Sequence, residues 1–201
     1  MLRVYGDLRS GNCYKIKLLL NHLDMPHEWQ HVDIMKGESR TPQFLARNPN
    51  GRVPLLELPD GRCLAESNAI LNFLADGTAL LPDDPWLRAQ VLQWQFFEQY
   101  SHEPYIATAR FIALYLGLPE SRRPEYEAKQ KGGHAALRVM ESHLTNLEYF
   151  VGERFTIADI TLYGYTHVAD EGGFSLASYP SINRWLLRIA AHPRHVAMPA
   201  T

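Results

Sequence analysis

Hydrophobic and polar positions divide the chain into two stretches of different rhythm. Over residues 1 to about 76 the period keeps changing. Leu2–Tyr5 reads as a short strand, and Asp7–Gly11 as a loop. Cys13, Ile16, Leu19, Leu20 and Leu23 then fall at helical spacing, so a helix runs to about Leu23 and Pro26 stops it. His27–Asp33 reads as a second strand around Trp29 and Val32. Lys36–Thr41 is a polar loop, and Pro42–Arg47 a short helix closed by Asn48-Pro49. Val53–Leu58 and Arg62–Ala65 form a hairpin with Pro59-Asp60-Gly61 as its turn. Ser67–Ala75 is a helix with Ile70, Phe73 and Leu74 inward and Gly77 as its stop. The order is βαβ followed by αββα, a mixed sheet whose first crossover makes two strands parallel.

Leu81-Pro82-Asp83-Asp84-Pro85 reads as a linker, and everything after it is helical in pattern. Trp86 to about Gly117 carries Leu87, Val91, Trp94, Phe97 and Ser101 at helical steps, with a kink expected at Pro104. Pro124–Phe150 carries Leu137, Met140, Leu144 and Leu147 on one face, and Gly132-Gly133 weaken it near its start. Thr156-Ile157-Ala158-Asp159 opens a third helix, Thr156 capping it and Asp159 reaching back. Ser181–Ala191 is a fourth, with Ile182, Trp185, Leu186 and Ile189 inward. The fold class is therefore α/β plus all-α: an α/β domain over 1–78 and an all-helical domain over 86–201.

Composition narrows the function. The 201 residues are 46% hydrophobic, enough for two small cores. Twenty Lys and Arg face 22 Asp and Glu without a basic stripe, which argues against nucleic acid. No apolar run approaches the ~20 residues that cross a bilayer. The N-terminus reads as a strand and not a signal peptide, and there are two cysteines, Cys13 and Cys63, so a cytoplasmic protein is expected. The nine histidines, among them His22, His27, His31, His192 and His195, lack ligand spacing, and no metal is expected. Glu98–Glu103 reads as a solvated helix face.

The informative chemistry lies in two short segments. In Asn48-Pro49-Asn50-Gly51-Arg52-Val53-Pro54-Leu55 a proline opens a strand, where its missing donor does no harm. A cis Val53–Pro54 bond would turn the Val53 N–H and C=O outward for a ligand. In Leu64-Ala65-Glu66-Ser67-Asn68 a strand gives way to a helix. Ser67 is a good N-cap there, and the amides behind it suit an anion. Together the segments describe a socket for a small extended peptide with a carboxylate at one end and an amine at the other.

This pattern resembles the cytosolic glutathione transferase family over essentially the whole chain. The resemblance rests on Arg52-Val53-Pro54 with Glu66-Ser67, and on Phe155-Thr156-Ile157-Ala158-Asp159-Ile160 in the helical half. It implies a thioredoxin-like N-terminal domain (βαβ-αββα) followed by an all-helical one, glutathione as co-substrate, and a homodimer. Within the family the turn Ser10-Gly11-Asn12 is similar to that of bacterial theta- and nu-like members with Ser-x-Asn.

By that resemblance Ser10 would donate to the glutathione thiolate, helped by the positive end of the helix that follows. Asn12 is the rival, either near the sulfur or simply capping the helix. Cys13 begins the apolar stripe and reads as packing, although some bacterial classes use a cysteine at this turn. Cys63 reads as core. Arg52 would pair with the glycine carboxylate of glutathione, Val53 would exchange backbone hydrogen bonds with its central cysteine, and Pro54 would fix that backbone. Glu66 and Ser67 would hold the γ-glutamyl amine and carboxylate. A second substrate would lie against the first long helix of the C-terminal half. Tyr105, Arg110, Phe111, Tyr163 and Tyr165 are candidates to line it, though any one of them is first a core residue. Trp94 and Phe97 read as packing. The function implied is thiol transfer to small electrophiles. Glutathione-dependent disulfide reduction and a non-catalytic binding or stress module are the alternatives. The turn, Ser-Gly-Asn and not Ser-Ser-Cys, argues against a zeta-like isomerase.

Overall fold

Val4 of strand β1 (Leu2–Gly6) lies opposite Leu56 of β3 (Leu55–Glu57), and both are completely buried. Side chains alternate along a strand, so the next pair, Tyr5 and Leu55, faces the other way. It packs there with Val32 and with Phe44 of helix α2 (Pro42–Arg47). The sheet is thus buried on both faces, as a mixed α/β sheet requires. This is a computed structural model that describes residues 1–199. The chain divides into two units, Met1–Asp76 with the tail from Pro193, and Gly77–His192.

In the first unit β1 pairs in parallel with β2 (His27–His31) and antiparallel with β3, and β3 pairs antiparallel with β4 (Cys63–Ala65), giving the order β2-β1-β3-β4. Helix α1 (Gly11–His22) makes the parallel crossover and packs against α3 (Ser67–Ala75). The expected βαβ-αββα order is present. The strands of the hairpin are shorter than the apolar runs implied, because pairing stops at Leu55 and Ala65. Phe73, read as inward, is 51% exposed: Ile70, Leu71 and Leu74 define the buried face of α3, and about 100° per residue carries position 73 off it. The tail crosses α1. The Tyr14 hydroxyl donates to the Val196 carbonyl at 2.7 Å, and Asn21 Nδ2 donates to the Arg194 carbonyl at 2.6 Å.

The second unit is helical. Helix α4 (Pro85–Phe97) passes through a π-turn at Glu98–His102 into α5 (Glu103–Arg110), and a second π-turn follows at Phe111–Tyr115. The deviation falls just before Pro104, where the ring cannot accept a regular helical turn behind it. Glu98 and His102 are fully buried, so the reading of Glu98–Glu103 as a solvated face is corrected. Helix α6 (Arg123–Leu144) ends six residues before Phe150, which leaves Leu147 outside it and 45% exposed. Helix α7 (Ile157–Thr166) opens with the expected capping box between Thr156 and Asp159, and α8 (Pro180–Ala190) closes the unit.

Candidate functional site

Three segments converge because of strand register. Tyr5, Leu55 and Ala65 form one row across β1, β3 and β4. The chain leaves β1 just after that row through Asp7–Ser10, enters β3 just before it through Val53-Pro54, and leaves β4 just after it through Glu66-Ser67. All three motifs therefore stand at one end of the sheet.

The β1–α1 turn is fixed by Asp7. Its buried carboxylate accepts from the Arg9 amide at 2.9 Å, and its carbonyl accepts from the Ser10 amide at 2.9 Å. Ser10 occupies the N-cap position of α1 with extended backbone, yet its hydroxyl does not cap the helix. It lies near enough to the Cys13 thiol to pull its pKa down. Cys13 is fully buried, and burial pushes its thiol up to about 12 while the Ser10 hydroxyl and the Lys15 cation pull the other way. Its sulfur packs so closely on Gly6 that a Cβ there would lie 2.7 Å away. Such a thiol is a packed neutral group and not a nucleophile.

Asn12 joins two of the motifs. Its carboxamide oxygen accepts from Lys15 Nζ at 2.8 Å and from the Ser67 hydroxyl at 3.2 Å. Lys15 is completely buried. The N-cap of α3 is Glu66, so Ser67 is the first helical residue and not the cap. Glu66 has φ 70° and ψ 116°, a left-handed conformation that costs a non-glycine residue about 1–3 kcal/mol. Its exposed carboxylate makes no capping bond. Ser67, the first residue of α3, is the one that bonds Asn12.

The third segment is closed on Asn48. Its Nδ2 donates to the Arg52 carbonyl at 2.8 Å, and its Oδ1 accepts from the Asn50 amide at 3.2 Å. The Val53–Pro54 peptide is cis. Neither the amide nor the carbonyl of Val53 bonds to another described residue. Arg52 is exposed and makes no ion pair among the described residues. Arg40 donates to the Asn50 carbonyl at 3.1 Å and its side chain lies where a Cβ on Gly51 would stand, a position whose φ of 61° also favours glycine. Sequence reasoning singled out neither Arg40 nor Lys15. A lysine inside a helical stripe carries no local sign that it is buried.

Among the aromatic and cationic candidates of the helical unit, packing dominates. Arg110 is buried and paired with Glu171 at 2.6 Å. Phe111 stacks on Tyr115, and Tyr163 on His167 with centroids 4.6 Å apart. Burial pushes the Tyr163 hydroxyl up to about 12. Tyr165 is buried, and Tyr105 lies over Gly132. Trp94 packs edge-on against Phe97 and Phe150. Among the described residues no three His, Cys, Asp or Glu side chains group as a metal site, and no helix is long and apolar enough to cross a membrane.

Family models for the N-terminal and C-terminal domains of glutathione S-transferase match residues 9–76 and 94–193. A glutathione S-transferase of Pseudomonas fluorescens is 65% identical over 99% of both chains, with a TM-score of 0.97. A glutathione transferase of Burkholderia graminis, crystallised with two glutathione molecules per subunit, is 26% identical over 96% of this chain and 85% of its own, with a TM-score of 0.83. Elongation factor 1-gamma of Artemia salina is 33% identical over 156 residues, 75% of this chain and 35% of its own length. The chain thus spans about a third of that curated relative.

Proposed function

The chain belongs to the glutathione S-transferase family, and we propose that it is an enzyme that binds glutathione at the Ser10–Ser67 end of its sheet and transfers the thiol to small electrophiles. The observation that carries this reading is the row Tyr5–Leu55–Ala65, which gathers a hydroxyl-bearing helix start, the Val53 backbone before β3 and a second helix start at one end of the sheet. A glutathione-bound relative of the same fold supports the ligand.

In this reading Glu66 takes the γ-glutamyl amine, and Ser67 with the first amides of α3 takes its carboxylate. Val53 pairs its N–H and C=O with the central cysteine as an added strand would. Pro54 fixes that backbone. Arg52 takes the glycine carboxylate, bidentately. The thiol then falls at the start of α1. The Ser10 hydroxyl, which caps nothing, donates to the thiolate, Asn12 supplies a second polar group, and the helix end adds its positive potential. Lowering the thiol pKa by ~2 units takes ~2.7 kcal/mol, within reach of a charge-assisted hydrogen bond and a helix start together. The thiolate sulfur attacks the electrophilic carbon, a carbon–sulfur bond forms, and the leaving group departs with its electron pair.

We further place the enzyme in the cytoplasm as a homodimer with a detoxifying role. Trp86, Phe96 and Tyr100 are 70%, 69% and 85% exposed along one helical run, and such a stripe favours cover by a second copy. A solution mass near the monomer's 23.0 kDa would overturn the dimer.

Two alternatives have support. Ser10-Gly11-Asn12 and the two glutathione molecules in the Burkholderia relative favour thiol–disulfide exchange. The elongation factor relatives favour a non-catalytic module. A paired assay on the purified protein separates them. Conjugation to a generic aryl halide supports transfer, and glutathione-dependent reduction of hydroxyethyl disulfide supports the reductase. Glutathione binding with silence in both supports the module.

A further inference from the structure

We infer that the strap of residues 193–199 positions the thiol-activating turn, and that Tyr14 is the positioning residue through which it acts; the inference rests on the glutathione reading above. Helix α1 opens without the usual support. Its N-cap Ser10 makes no side-chain cap bond, and no acidic residue stands in its first turn. Helices α2, α4 and α7 open instead on capping side chains, those of Thr41, Asp84 and Thr156. A helix start without a cap frays more readily. The glutathione reading needs that cap missing, because the Ser10 hydroxyl serves the thiolate instead of the helix. The first turn must then be held from elsewhere.

The strap holds it. It runs antiparallel along α1. At the last turn Arg194 Nη1 donates to the His22 carbonyl at 2.9 Å, and Asn21 Nδ2 donates to the Arg194 carbonyl at 2.6 Å. Two residues on, the Val196 carbonyl accepts from the Tyr14 hydroxyl at 2.7 Å, and His195 Nε2 lies 3.2 Å from the same hydroxyl oxygen. Positions 14 and 21 stand about 10 Å apart along the axis, so the strap is fastened near both ends of the helix. Tyr14 is completely buried. Helical side chains lean toward the N-terminus, so its ring leans back along the first turn. Its amide donates to the Ser10 carbonyl at 2.8 Å, and the Ser10 amide donates to the Asp7 carbonyl at 2.9 Å. The residue that the strap holds by its hydroxyl therefore holds Ser10 by its backbone. A first turn kept closed in this way keeps the Ser10 hydroxyl and the positive end of the helix directed at one point.

The test reads the start of α1 with and without glutathione. In Tyr14→Phe the ring stays and the strap bond goes. Hydrogen exchange of the amide at position 14, which bonds Ser10, is expected to quicken about fivefold in the ligand-free protein. With glutathione bound, the Kd should hold within about threefold, while the ultraviolet absorbance of the bound thiolate at neutral pH falls about threefold and its titration midpoint rises by about one pH unit. Asn21→Ala removes a strap bond at the last turn, and should leave both the midpoint and the exchange at position 14 at wild-type values. An unmoved midpoint in Tyr14→Phe overturns the inference. So does an equal rise in Asn21→Ala, since the effect would then be a general loss of stability. If Tyr14→Phe does not fold, a chain ending at Arg194 lacks the Val196 carbonyl but keeps both bonds at the last turn, and carries the same expectation and the same refutation. Wild-type protein that binds no glutathione refutes the glutathione reading itself. Exchange at position 14 that stays at the wild-type rate in Tyr14→Phe overturns the strap whether or not glutathione binds, and exchange that quickens supports its hold on the turn.

Discussion

The indole N–H of Trp185 donates to Asp159 Oδ1 over 3.0 Å, tying helix α8 to the capping box of α7. The same carboxylate accepts from the amides of Phe150 at 3.1 Å and Thr156 at 2.9 Å. Asp159 is wholly buried, so these donors have no water to turn to. Asp159→Ala orphans three buried N–H groups at once, and is expected to lower the unfolding free energy by about 3 kcal/mol or more in urea titration.

Asp159 also sets a pH dependence. Burial pushes its carboxyl from an ordinary 3.8 up to about 6, against the pull of its hydrogen bonds. The folded state therefore holds the proton more tightly than the unfolded chain does. This contribution is complete below the unfolded value and disappears as pH rises through about 6. Lowering the pH from 7 to 5 should favour the wild type over Asp159→Asn by on the order of 1 kcal/mol, since other groups cancel in the difference. A constant difference across that window would disprove the shift.

The two thiols should part company. Cys13 is fully buried with its pKa pushed up to about 12, whereas Cys63 is partly exposed on β4. A neutral-pH alkylating reagent should label Cys63 and spare Cys13 until the protein unfolds. Cys13→Ala should keep glutathione turnover within a few-fold while losing stability, about 1–2 kcal/mol for a small buried side chain. Abolished turnover in a folded Cys13→Ala protein would move the nucleophilic chemistry to that sulfur.

What the sequence disclosed follows from the range of each interaction. The order of strands and helices, the capping box at Thr156–Asp159 and the Gly77 stop are local patterns, and they stand where the spacing put them. Glu98 and His102 read as solvated because their burial comes from packing by other helices, which no local period reports. They also bound a π-turn, whose extra residue shifts the helical face without any change of residue type to announce it. Ser67 reads as a cap by residue type, but the left-handed turn at Glu66 moves the helix start one residue earlier. Lys15 could not be singled out, since its burial comes from packing that no local pattern reports.

Gly132 and Gly133 do more than weaken helix α6. The ring of Tyr105 lies where a Cβ on Gly132 would stand, and the ring of Phe174 where one on Gly133 would stand. Alanine at 133 gains about 1 kcal/mol of helix propensity. Overpacking against the fully buried Phe174 costs about 1–3 kcal/mol. The contact should win, so Gly133→Ala is expected to lower the melting temperature. Gly133→Ala with Phe174→Leu should recover part of that loss; a double variant no better than the single one would place the cost elsewhere.

The tail makes the last prediction. Tyr14 is completely buried on α1, one residue from Asn12's neighbour Cys13, and its hydroxyl proton goes to the Val196 carbonyl at 2.7 Å. That hydroxyl has one proton, so the 3.2 Å contact with His195 Nε2 needs the imidazole to donate. Arg194 meanwhile donates to the His22 carbonyl at 2.9 Å, satisfying an acceptor at the C-terminal end of α1, and Asn21 holds the Arg194 carbonyl. Removing residues 193–201 therefore uncovers the tyrosine and an end of the helix whose other end carries Ser10. The truncated chain should lose a few kcal/mol of stability. Hydrogen exchange should quicken along α1 before it quickens in β1, because the tail's bonds to the helix are lost while the sheet keeps its ladder. Tyr14→Phe, which loses the hydroxyl alone, should reproduce about 1 kcal/mol of that effect. Exchange in α1 that stays at the wild-type rate after truncation would mean the tail rests on the helix without holding it.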